Sequence, residues 1–257
     1  MTAPQSVKKV KPSKQFSVCV LVNNLVEYQQ MERSFRAGGF TGRDVEWLFV
    51  DNTQGNTFDA YSGLNALLTA AQGEYVLLCH QDLVLLQDNK TTLLNLLQEL
   101  TRYDPHWALA GNAGGTKNGK LALRITDQNG ADTRQGKFPV LVTTLDENFI
   151  VVRRAANVGL SCDLHGFHFY GTDLCLQAAL RGYRSYVIDF HLQHNGRGTT
   201  GPAFYALKKK FIQKYKNAFK ARVLQTTCTV LPISTSRLFN RLSHQRWFRK
   251  LYRVLSS

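Results

Sequence analysis

The chain has 257 residues, of which 44% are hydrophobic and 19% charged, a composition that is ordinary for a globular protein and excludes disordered and fibrous classes. No run approaches the roughly 18 consecutive apolar residues of a transmembrane helix, and the first residues are polar and basic, unlike a secretory signal. We therefore expect a cytoplasmic protein. Its five cysteines form no C-x-x-C pair, which favours free thiols.

The formal net charge of +14 is concentrated at one end of the chain. No acidic residue follows Asp189, whereas fourteen Lys and Arg residues do. The other 18 Lys and Arg residues are balanced by the 18 acidic residues of the chain. A neutral body with a cationic tail predicts a body that acts on a small molecule and a tail that contacts an anionic surface, either a membrane or a nucleic acid.

Two β-α units open the chain. Residues 16–22 form an apolar run of strand length that ends at Asn23, and a helical segment follows. Residues 45–50 form a second apolar run, which ends at Asp51, and Ser62 is the expected cap of the helix after it. The second unit therefore repeats the first.

A third apolar strand ends at His80-Gln81-Asp82. Side chains two residues apart on an extended chain point to the same side, so His80 and Asp82 are presented together. The alternation of strands and helices predicts a doubly wound, mostly parallel sheet, which binds its ligands at the carboxyl ends of the strands. Asn23, Asp51 and the triplet all fall on that edge.

The next segment contains one helix, one strand and several antiparallel pieces. We expect a helix at 91–103, a strand at 107–110, a simple loop at 111–115 and a hairpin with its turn at Asn129-Gly130. Two further strands flank Asp146-Glu147. We expect the antiparallel pieces at the far edge of the sheet.

A second informative region runs from residue 163 to residue 198. Asp173 lies at the start of a predicted helix, and the strand after that helix delivers His191 and His194 into a Gly-rich loop. A carboxylate at a helix start and histidines at a strand end could converge on one site.

An ordered set of motifs spans roughly residues 16 to 200. It comprises Asn23, Asp51-Asn-Thr, Asn65 in the second helix, the His80-Gln81-Asp82 triplet, Leu145-Asp-Glu-Asn-Phe-Ile-Val-Val-Arg-Arg154, Phe167-His-Phe-Tyr-Gly-Thr-Asp-Leu-Cys-Leu176, Gly182-Tyr183-Arg184 and His194. This set resembles family-two glycosyltransferases with the GT-A fold, and in particular the branch that carries His-Gln-Asp where relatives carry Asp-x-Asp.

The resemblance implies an α/β GT-A fold, Rossmann-like, with a mostly parallel sheet flanked by helices. It also implies transfer of a sugar from a nucleotide-diphosphate sugar to a hydroxyl of a saccharide or glycolipid acceptor, with inversion at the anomeric carbon. The biological setting that it implies is the synthesis of a surface polysaccharide.

The resemblance further implies a divalent metal, Mn²⁺ or Mg²⁺, which stabilises the departing diphosphate. Asp82 and His194 are the ligands that the motif order suggests, with His191 as a rival to His194. His80 takes the place of the first Asp of the relatives' motif. An imidazole at this place suits Mn²⁺ better than Mg²⁺.

The acceptor hydroxyl needs a general base, because an alcohol is a poor nucleophile at neutral pH. Asp173 is the candidate by resemblance, although an Asp at a helix start is most often an N-cap. Many relatives read Glu-Asp-x-Asp here and use the first Asp as the base, a place that Gly171 fills in this chain. The Asp146-Glu147 pair is the reserve candidate.

The nucleotide-sugar contacts that the resemblance implies fall on five residues: Asn23, Asp51, Asn65, His80 and Gln81. A carboxylate such as Asp51 can accept a hydrogen bond from a uracil or guanine N–H.

Two other functions fit parts of the sequence. His165-x-x-His168 and His191-x-x-His194 could supply the four imidazoles of a metal-dependent hydrolase or a zinc module. A cationic, aromatic tail could also bind nucleic acid, but the chain contains no recognisable nucleic-acid module and we expect none to bind.

The predicted organisation has three parts: a flexible basic tail at 1–15, a glycosyltransferase domain at 16–200 and a basic helical extension at 201–257. Within the extension we expect a helix break near Ser243-His244. Residues 232–257 interleave Arg and Lys with aromatic residues, a pattern that suits the anionic inner face of a membrane.

Overall fold

The structure is a computed structural model that describes residues 11–196, 198, 200–248 and 250. It divides into two compact units, Met1–Leu207 and Lys208–Ser257. The boundary lies slightly later in the chain than the predicted one at 200. Most of the predicted tail, residues 1–10, lies outside the described residues.

The first unit begins with the two predicted β-α units and a third strand. The elements are β1 (Lys14–Val22), α1 (Leu25–Ala37), β2 (Val45–Asp51), α2 (Ala60–Ala70) and β3 (Gly73–Cys79). One cap differs from the prediction, because Asp59 caps α2 and its Oδ1 accepts a hydrogen bond from the backbone N–H of Ser62 at 2.8 Å. An Asp is as good a cap as a Ser, and it lies one residue before the first turn.

The rest of the first unit alternates short strands with two longer helices. The elements are β4 (Leu83–Leu85), α3 (Lys90–Tyr103), β5 (Trp107–Gly111), β6 (Ala113–Gly115), β7 (Leu121–Thr126), β8 (Asp132–Gln135), β9 (Val140–Val142), β10 (Thr144–Leu145), β11 (Phe149–Arg153), α4 (Tyr170–Leu180), β12 (Arg184–Val187) and β13 (Leu192–His194). A 3₁₀ turn, Arg154–Ala156, follows β11. The predicted loop at 111–115 is wrong in part, because Ala113–Gly115 pairs with both β7 and β10.

The main sheet has seven strands in the order β2-β1-β3-β11-β5-β12-β9. Strands β2, β1 and β3 are mutually parallel, and β12 is parallel to β5. A smaller sheet has the order β10-β6-β7-β13-β4, with β8 paired to β7 as the predicted hairpin.

The position of β11 corrects the prediction that the antiparallel pieces lie at the far edge. It lies in the middle of the sheet, antiparallel to both β3 and β5, with Phe149 opposite Cys79. All but one of its five residues are buried, as expected for a strand that is covered on both faces. The turn before β11 therefore lies at the carboxyl end of β3.

One hydrophobic cluster joins this sheet to α1 and α3. Met31 and Phe35 of α1 and Leu93 and Leu97 of α3 are fully buried in it, at the spacing of one helix face. Burying an apolar side chain of this size contributes about 1.5–3 kcal/mol. The cluster fixes the strands whose ends carry the polar residues.

The second unit is less helical than predicted. The helix α5 (Pro202–Ala218) enters it, an antiparallel hairpin of β14 (Arg222–Gln225) and β15 (Val230–Ile233) follows, and α6 (Arg237–Leu242) comes next. The predicted helix break is confirmed, since Ser243 caps the end of α6. Among the described residues, no helix is both long enough and apolar enough to cross a membrane.

Candidate active site

Three side chains from two distant segments of the chain converge at the carboxyl end of β3. His80, Asp82 and His194 each offer one donor atom, and these atoms lie within 4.8 Å of one another. His80 Nδ1 is 3.3 Å from His194 Nε2, and His194 Nε2 is 3.4 Å from Asp82 Oδ1. We call these three residues the His-Asp-His group.

Strand pairing explains the convergence. The backbone N–H of His80 donates to the carbonyl of Asn148 at 2.8 Å, which holds the triplet where β3 ends. Strand β13 pairs antiparallel with β4, and this register sets His194 opposite Leu83, next in sequence to Asp82. The backbone N–H of Asn195 donates to the carbonyl of Asp82 at 3.2 Å and ties the two segments together.

A buried tyrosine sets the orientation of His80. The Tyr170 hydroxyl donates to the backbone carbonyl of Glu147 at 3.1 Å, and a carbonyl can only accept. Because the hydroxyl has a single proton, its contact of 2.7 Å with His80 Nε2 has the ring N–H as donor. The lone pair of His80 Nδ1 then faces Asp82 and His194. Residues that contact the imidazole ligands of a metal, rather than the metal itself, commonly orient those ligands in this way.

Asp82 carries an unsatisfied oxygen at the centre of the group. Among the described residues, its buried Oδ1 accepts no hydrogen bond, and buried carboxylate oxygens without a partner are rare. Gly196 leaves the space beside it open, because a Cβ at this position would clash with Asp82 Oδ2 and His194 Nε2. An oxygen and two nitrogens around an open space are a donor set for a divalent metal.

The three groups influence each other's protonation. Burial raises the pKa of Asp82, but the neighbouring His194 and His80 rings outweigh burial and bring the pKa below its ordinary value. Burial lowers the pKa of His194, but the contact with Asp82 outweighs it and raises the pKa. Burial lowers the pKa of His80, which favours the neutral ring that a metal requires.

The group opens into a cleft of about 640 Å³. Its lining includes the polar residues Asn23, Asp82, Asp146 and Glu147 and aromatic residues such as Phe167, Phe169 and Phe204. Phe169 adopts a left-handed conformation, with a φ of 64°, at the N-terminus of α4, which is uncommon for a bulky residue. A cleft of this size is typical of a small-molecule site.

Gln81, predicted to contact the nucleotide, instead fixes the loop after β1. Its Oε1 accepts from the backbone N–H groups of Asn23 and Asn24 at 2.8 and 3.0 Å, and its Nε2 donates to Asn23 Oδ1 and Glu27 Oε2 at 2.5 and 3.0 Å. Two acceptor sites and two donors are all that a Gln amide has. We therefore assign Gln81 to the support of this loop rather than to the nucleotide.

Asn65 is also committed within the protein. Its Oδ1 accepts from the backbone N–H of Leu160 at 2.9 Å, and its Nδ2 donates to the carbonyl of the same residue at 3.0 Å. This contact holds the segment after β11 against α2, so we replace the predicted nucleotide contact with this role.

Asp51 and Asn23 lie at the ends of their strands, as predicted. Asp51 is exposed at the end of β2, and hydrogen bonds from the Thr53 hydroxyl and backbone N–H lower the pKa of its carboxyl. Asn23 lines the cleft. Their contacts with a nucleotide remain predictions.

Asp173 lies away from the cleft. The residue is fully buried, and its carboxylate accepts from the backbone N–H and the hydroxyl of Ser161 at 2.8 and 2.6 Å. It is also not the helix cap, which is Phe169. A carboxylate enclosed in this way has no route to an acceptor hydroxyl, so the geometry does not favour it as the base.

The alternative site with four imidazoles does not form. His191 contacts Arg124 and Thr126 at 2.9 and 2.7 Å, and His165 is exposed and lies 3.3 Å from Asp59. Among the described residues, the His-Asp-His group is the one cluster with the geometry of a metal site. His191 therefore has a structural role and His194 faces the cleft.

Sequence reasoning missed two contributions to this site and gave a third residue a different role. It assigned His80 to the nucleotide, whereas His80 belongs to the same group as Asp82, and it gave no role to Tyr170 or Gly196. The spacing of His80 and Asp82 on an extended chain is a usable signal for the first. The other two depend on contacts between distant segments.

No family model matches the chain. It is 40% identical over 215 residues to the protein named ATP synthase subunits region ORF 6 from Fuscovulum blasticum, a match that covers 81% of this chain and 86% of that protein.

Crystal structures of S. aureus TarS have a similar fold. TarS 1-349 in complex with UDP-GlcNAc gives a TM-score of 0.54 at 17% identity, over 79% of this chain and 67% of that chain. A longer TarS chain gives 0.53 at 16% identity, over 79% of this chain, and this chain spans only 40% of its length. The likeness bears on the fold alone. It confirms the predicted fold class, an α/β sheet flanked by helices.

Proposed function

We propose that this chain, which belongs to the same family as the ATP synthase subunits region ORF 6 protein of Fuscovulum blasticum, is a metal-assisted inverting glycosyltransferase. The observation that carries the proposal is the His-Asp-His group, which opens into a cleft at the carboxyl end of β3. In the similar fold of TarS a crystal structure contains UDP-GlcNAc. The substrate is a nucleotide-diphosphate sugar, and the acceptor is a hydroxyl of a saccharide or glycolipid in surface polysaccharide synthesis.

The residues present fit a divalent metal. The unsatisfied Oδ1 of Asp82, the lone pair of His80 Nδ1 and His194 Nε2 supply three donors, and Gly196 keeps the space beside them open. Imidazole donors favour Mn²⁺ over Mg²⁺. When bound, the metal neutralises the charge that develops on the departing diphosphate.

The protein's own groups do the rest of the binding. Tyr170 holds His80 in the tautomer that ligation needs, and Gln81 holds the loop that carries Asn23. Asp51, exposed at the end of β2, accepts a hydrogen bond from the base of the nucleotide.

The second unit is proposed to contact an anionic membrane surface. Residues 208–257 contain thirteen Lys and Arg residues and no acid. The described part of this unit exposes seven large apolar side chains to solvent: Ile212, Phe219, Leu224, Leu231, Ile233, Leu238 and Trp247. Cations interspersed with exposed aromatic and aliphatic groups match the headgroup region of an anionic bilayer.

Calorimetric titration with nucleotide sugars tests the enzymatic proposal. UDP-GlcNAc, UDP-glucose, GDP-mannose and dTDP-glucose are added with Mn²⁺ and again after chelation with EDTA. We expect one nucleotide class to bind with Mn²⁺ and to lose affinity after chelation. Absence of binding by all four donors under both conditions would overturn the proposal, and tight stoichiometric zinc would favour the hydrolase alternative.

A further inference from the structure

We propose that Glu147 is the general base that takes the proton of the acceptor hydroxyl. This inference rests on the proposed function and names a catalytic residue for it.

Carboxylates on the cleft wall are few. Of the described residues that line the cleft, only Asp82, Asp146 and Glu147 carry one. Asp82 belongs to the His-Asp-His group. Asp146 Oδ1 accepts hydrogen bonds from the backbone N–H and the side-chain amide of Asn148 at 3.0 and 2.5 Å. This carboxylate therefore stabilises the turn in which it lies. Glu147 is the carboxylate left to act on a substrate.

The fold places Glu147 close to the His-Asp-His group. It lies in the turn between β10 and β11, directly before the strand that pairs with the end of β3. Its backbone carbonyl accepts from Tyr170, the residue that orients His80. The base and the leaving-group site are therefore held by one short chain of contacts.

Gly171 makes room for the Glu147 side chain. A Cβ at Gly171 would lie 3.3 Å from Glu147 Cγ and 2.5 Å from the carbonyl oxygen of Leu145. The backbone N–H of Gly171 is 3.4 Å from Glu147 Oε1, at the N-terminus of α4. The side chain is thus directed at the first turn of α4 and held there without a salt bridge to any described residue.

The surroundings adjust Glu147 for proton transfer. Burial is the main cause that raises the pKa of Glu147 to about 8, the charge of Asp146 adds to it, and the N–H groups at the start of α4 oppose it. The other titratable groups nearby are Tyr170 and, beyond it, His80. A base transfers protons efficiently when its pKa lies close to the working pH.

The proposed step is balanced. The acceptor oxygen forms a bond to the anomeric carbon, and the bond from that carbon to the diphosphate oxygen breaks with its electron pair leaving on the diphosphate. The acceptor proton passes to the Glu147 carboxylate, which then releases it to solvent. Water can replace the acceptor, in which case the donor is hydrolysed by the same proton transfer.

Release of nucleoside diphosphate from a bound donor, with water as acceptor, tests the inference. We expect Glu147→Gln to lower kcat by roughly 100-fold or more, a typical loss for a general base, with the donor Kd changed less than about twofold. Because Gln has the shape of Glu, the fold is retained, and thermal unfolding verifies this. Unchanged turnover, or an equal loss of donor binding and turnover, would overturn the inference.

Two control variants distinguish a carboxylate that acts as the general base from one that has a structural role. Glu99→Gln, which changes an exposed acid on α3, should keep kcat within a few-fold. Asp173→Asn should lower the melting temperature while the folded fraction keeps its turnover, because it weakens the buried contact with Ser161. A kcat loss in Asp173→Asn that exceeds the loss in Glu147→Gln would transfer the role to Asp173.

The pH profile adds a readout that a structural role would not change. Only the carboxylate form accepts a proton, so turnover of the unmodified protein should rise as pH increases through about 8. Glu147→Asp should keep partial turnover with a shifted profile, and an unshifted profile would count against the inference. If the unmodified protein binds no donor, the proposed function fails as well. If it hydrolyses donor and Glu147→Gln does so equally fast, the inference alone fails.

Discussion

The cleft of the first unit and the surface of the second unit use charge in opposite ways. In the first unit, several charged groups have partners within the protein: Asp82 lies beside two histidines, and Arg134 pairs with Asp189 at 2.6 Å. In residues 208–257 the thirteen cations have no acid within that segment to pair with. Internal pairing positions groups for chemistry, whereas cations that no acid of their own segment balances are complementary to an anionic partner.

The difference means that the two units should respond differently to mutation. A change at the cleft should act on metal and donor binding and leave surface binding alone, and a change in the second unit should do the reverse. Four measurements test whether the two units are independent in this way, in order of decreasing effect.

Removing the central carboxylate should have the largest effect. Asp82→Asn keeps the shape but removes the charge of the oxygen that has no other partner, so Mn²⁺ affinity should fall roughly 100-fold or more. Titration of Mn²⁺ followed by electron paramagnetic resonance measures this without a substrate. Glu99→Gln, an exposed acid on α3, is the control and should bind normally. Equal Mn²⁺ affinity in Asp82→Asn would remove this residue from the metal site.

Loss of the Tyr170 hydroxyl should have a smaller effect on the same measurement. Tyr170→Phe leaves the ring in place but frees His80 to turn or change tautomer, so Mn²⁺ affinity should fall about tenfold. Tyr103→Phe, which removes the hydroxyl of an exposed tyrosine, is the matched control. An unchanged affinity in Tyr170→Phe would mean that His80 does not depend on this contact.

Substitutions in the second unit should weaken membrane binding. Leu238→Ser combined with Trp247→Ser removes two exposed apolar groups and should reduce co-flotation with phosphatidylglycerol vesicles about fivefold. Phosphatidylcholine vesicles should bind little in either case, and added salt should weaken the anionic interaction.

The control for that experiment is Leu121→Ser, an equally exposed apolar residue of the first unit. Equal flotation of the double variant and the unmodified protein would exclude this surface as the membrane contact. Salt-sensitive binding to DNA without vesicle binding would instead favour nucleic acid as the partner.

The smallest effect concerns stability and pH. The folded protein holds the Glu147 proton up to a pKa of about 8, against an ordinary value of 4.5, so it binds this proton more tightly than the unfolded chain. The contribution of Glu147 to stability is therefore complete below pH 4.5 and is lost as pH rises towards 8. Glu147→Gln should flatten this decline, raising the melting temperature relative to the unmodified protein by about 2 °C or more at pH 8 and little at pH 5. If the melting temperatures of Glu147→Gln and the unmodified protein differed by the same amount at pH 5 and at pH 8, this prediction would be wrong.

Local signals were sufficient to predict much of the fold. The apolar runs that became β1, β2 and β3 and the helical spacing of α1 and α3 depend on residues close in sequence, so their positions follow from pattern and capping. The place of β11 depends on pairing with strands far away in the chain. A run such as 149–153 is equally compatible with a central or an edge position until its partners are known.

The candidate site likewise has features that local sequence predicts and features that depend on contacts with distant segments. The triplet and His194 were found because they follow strands in a recognisable order, and they do meet. Gln81 and Asn65 belong to the same ordered motifs but are used by backbone groups of the protein itself. Sequence order identifies which residues stand at an edge. It does not determine whether a polar side chain there faces a ligand or a neighbouring segment.

The reversed direction of β11 has a consequence for how this protein can change. A parallel strand leaves the sheet at the cleft, but β11 enters there, so the residues just before it arrive at the cleft from the long segment of β7 to β10. The pairing of Phe149 with Cys79 sets the position where β11 begins, and therefore the position of Glu147 two residues earlier, independently of the length of the preceding segment. Insertions or deletions in the hairpin before this point can therefore reshape the cleft rim while the proposed base and the His-Asp-His group keep their spacing. If the proposed function holds, this is a route to new acceptor specificity with the same catalytic residues.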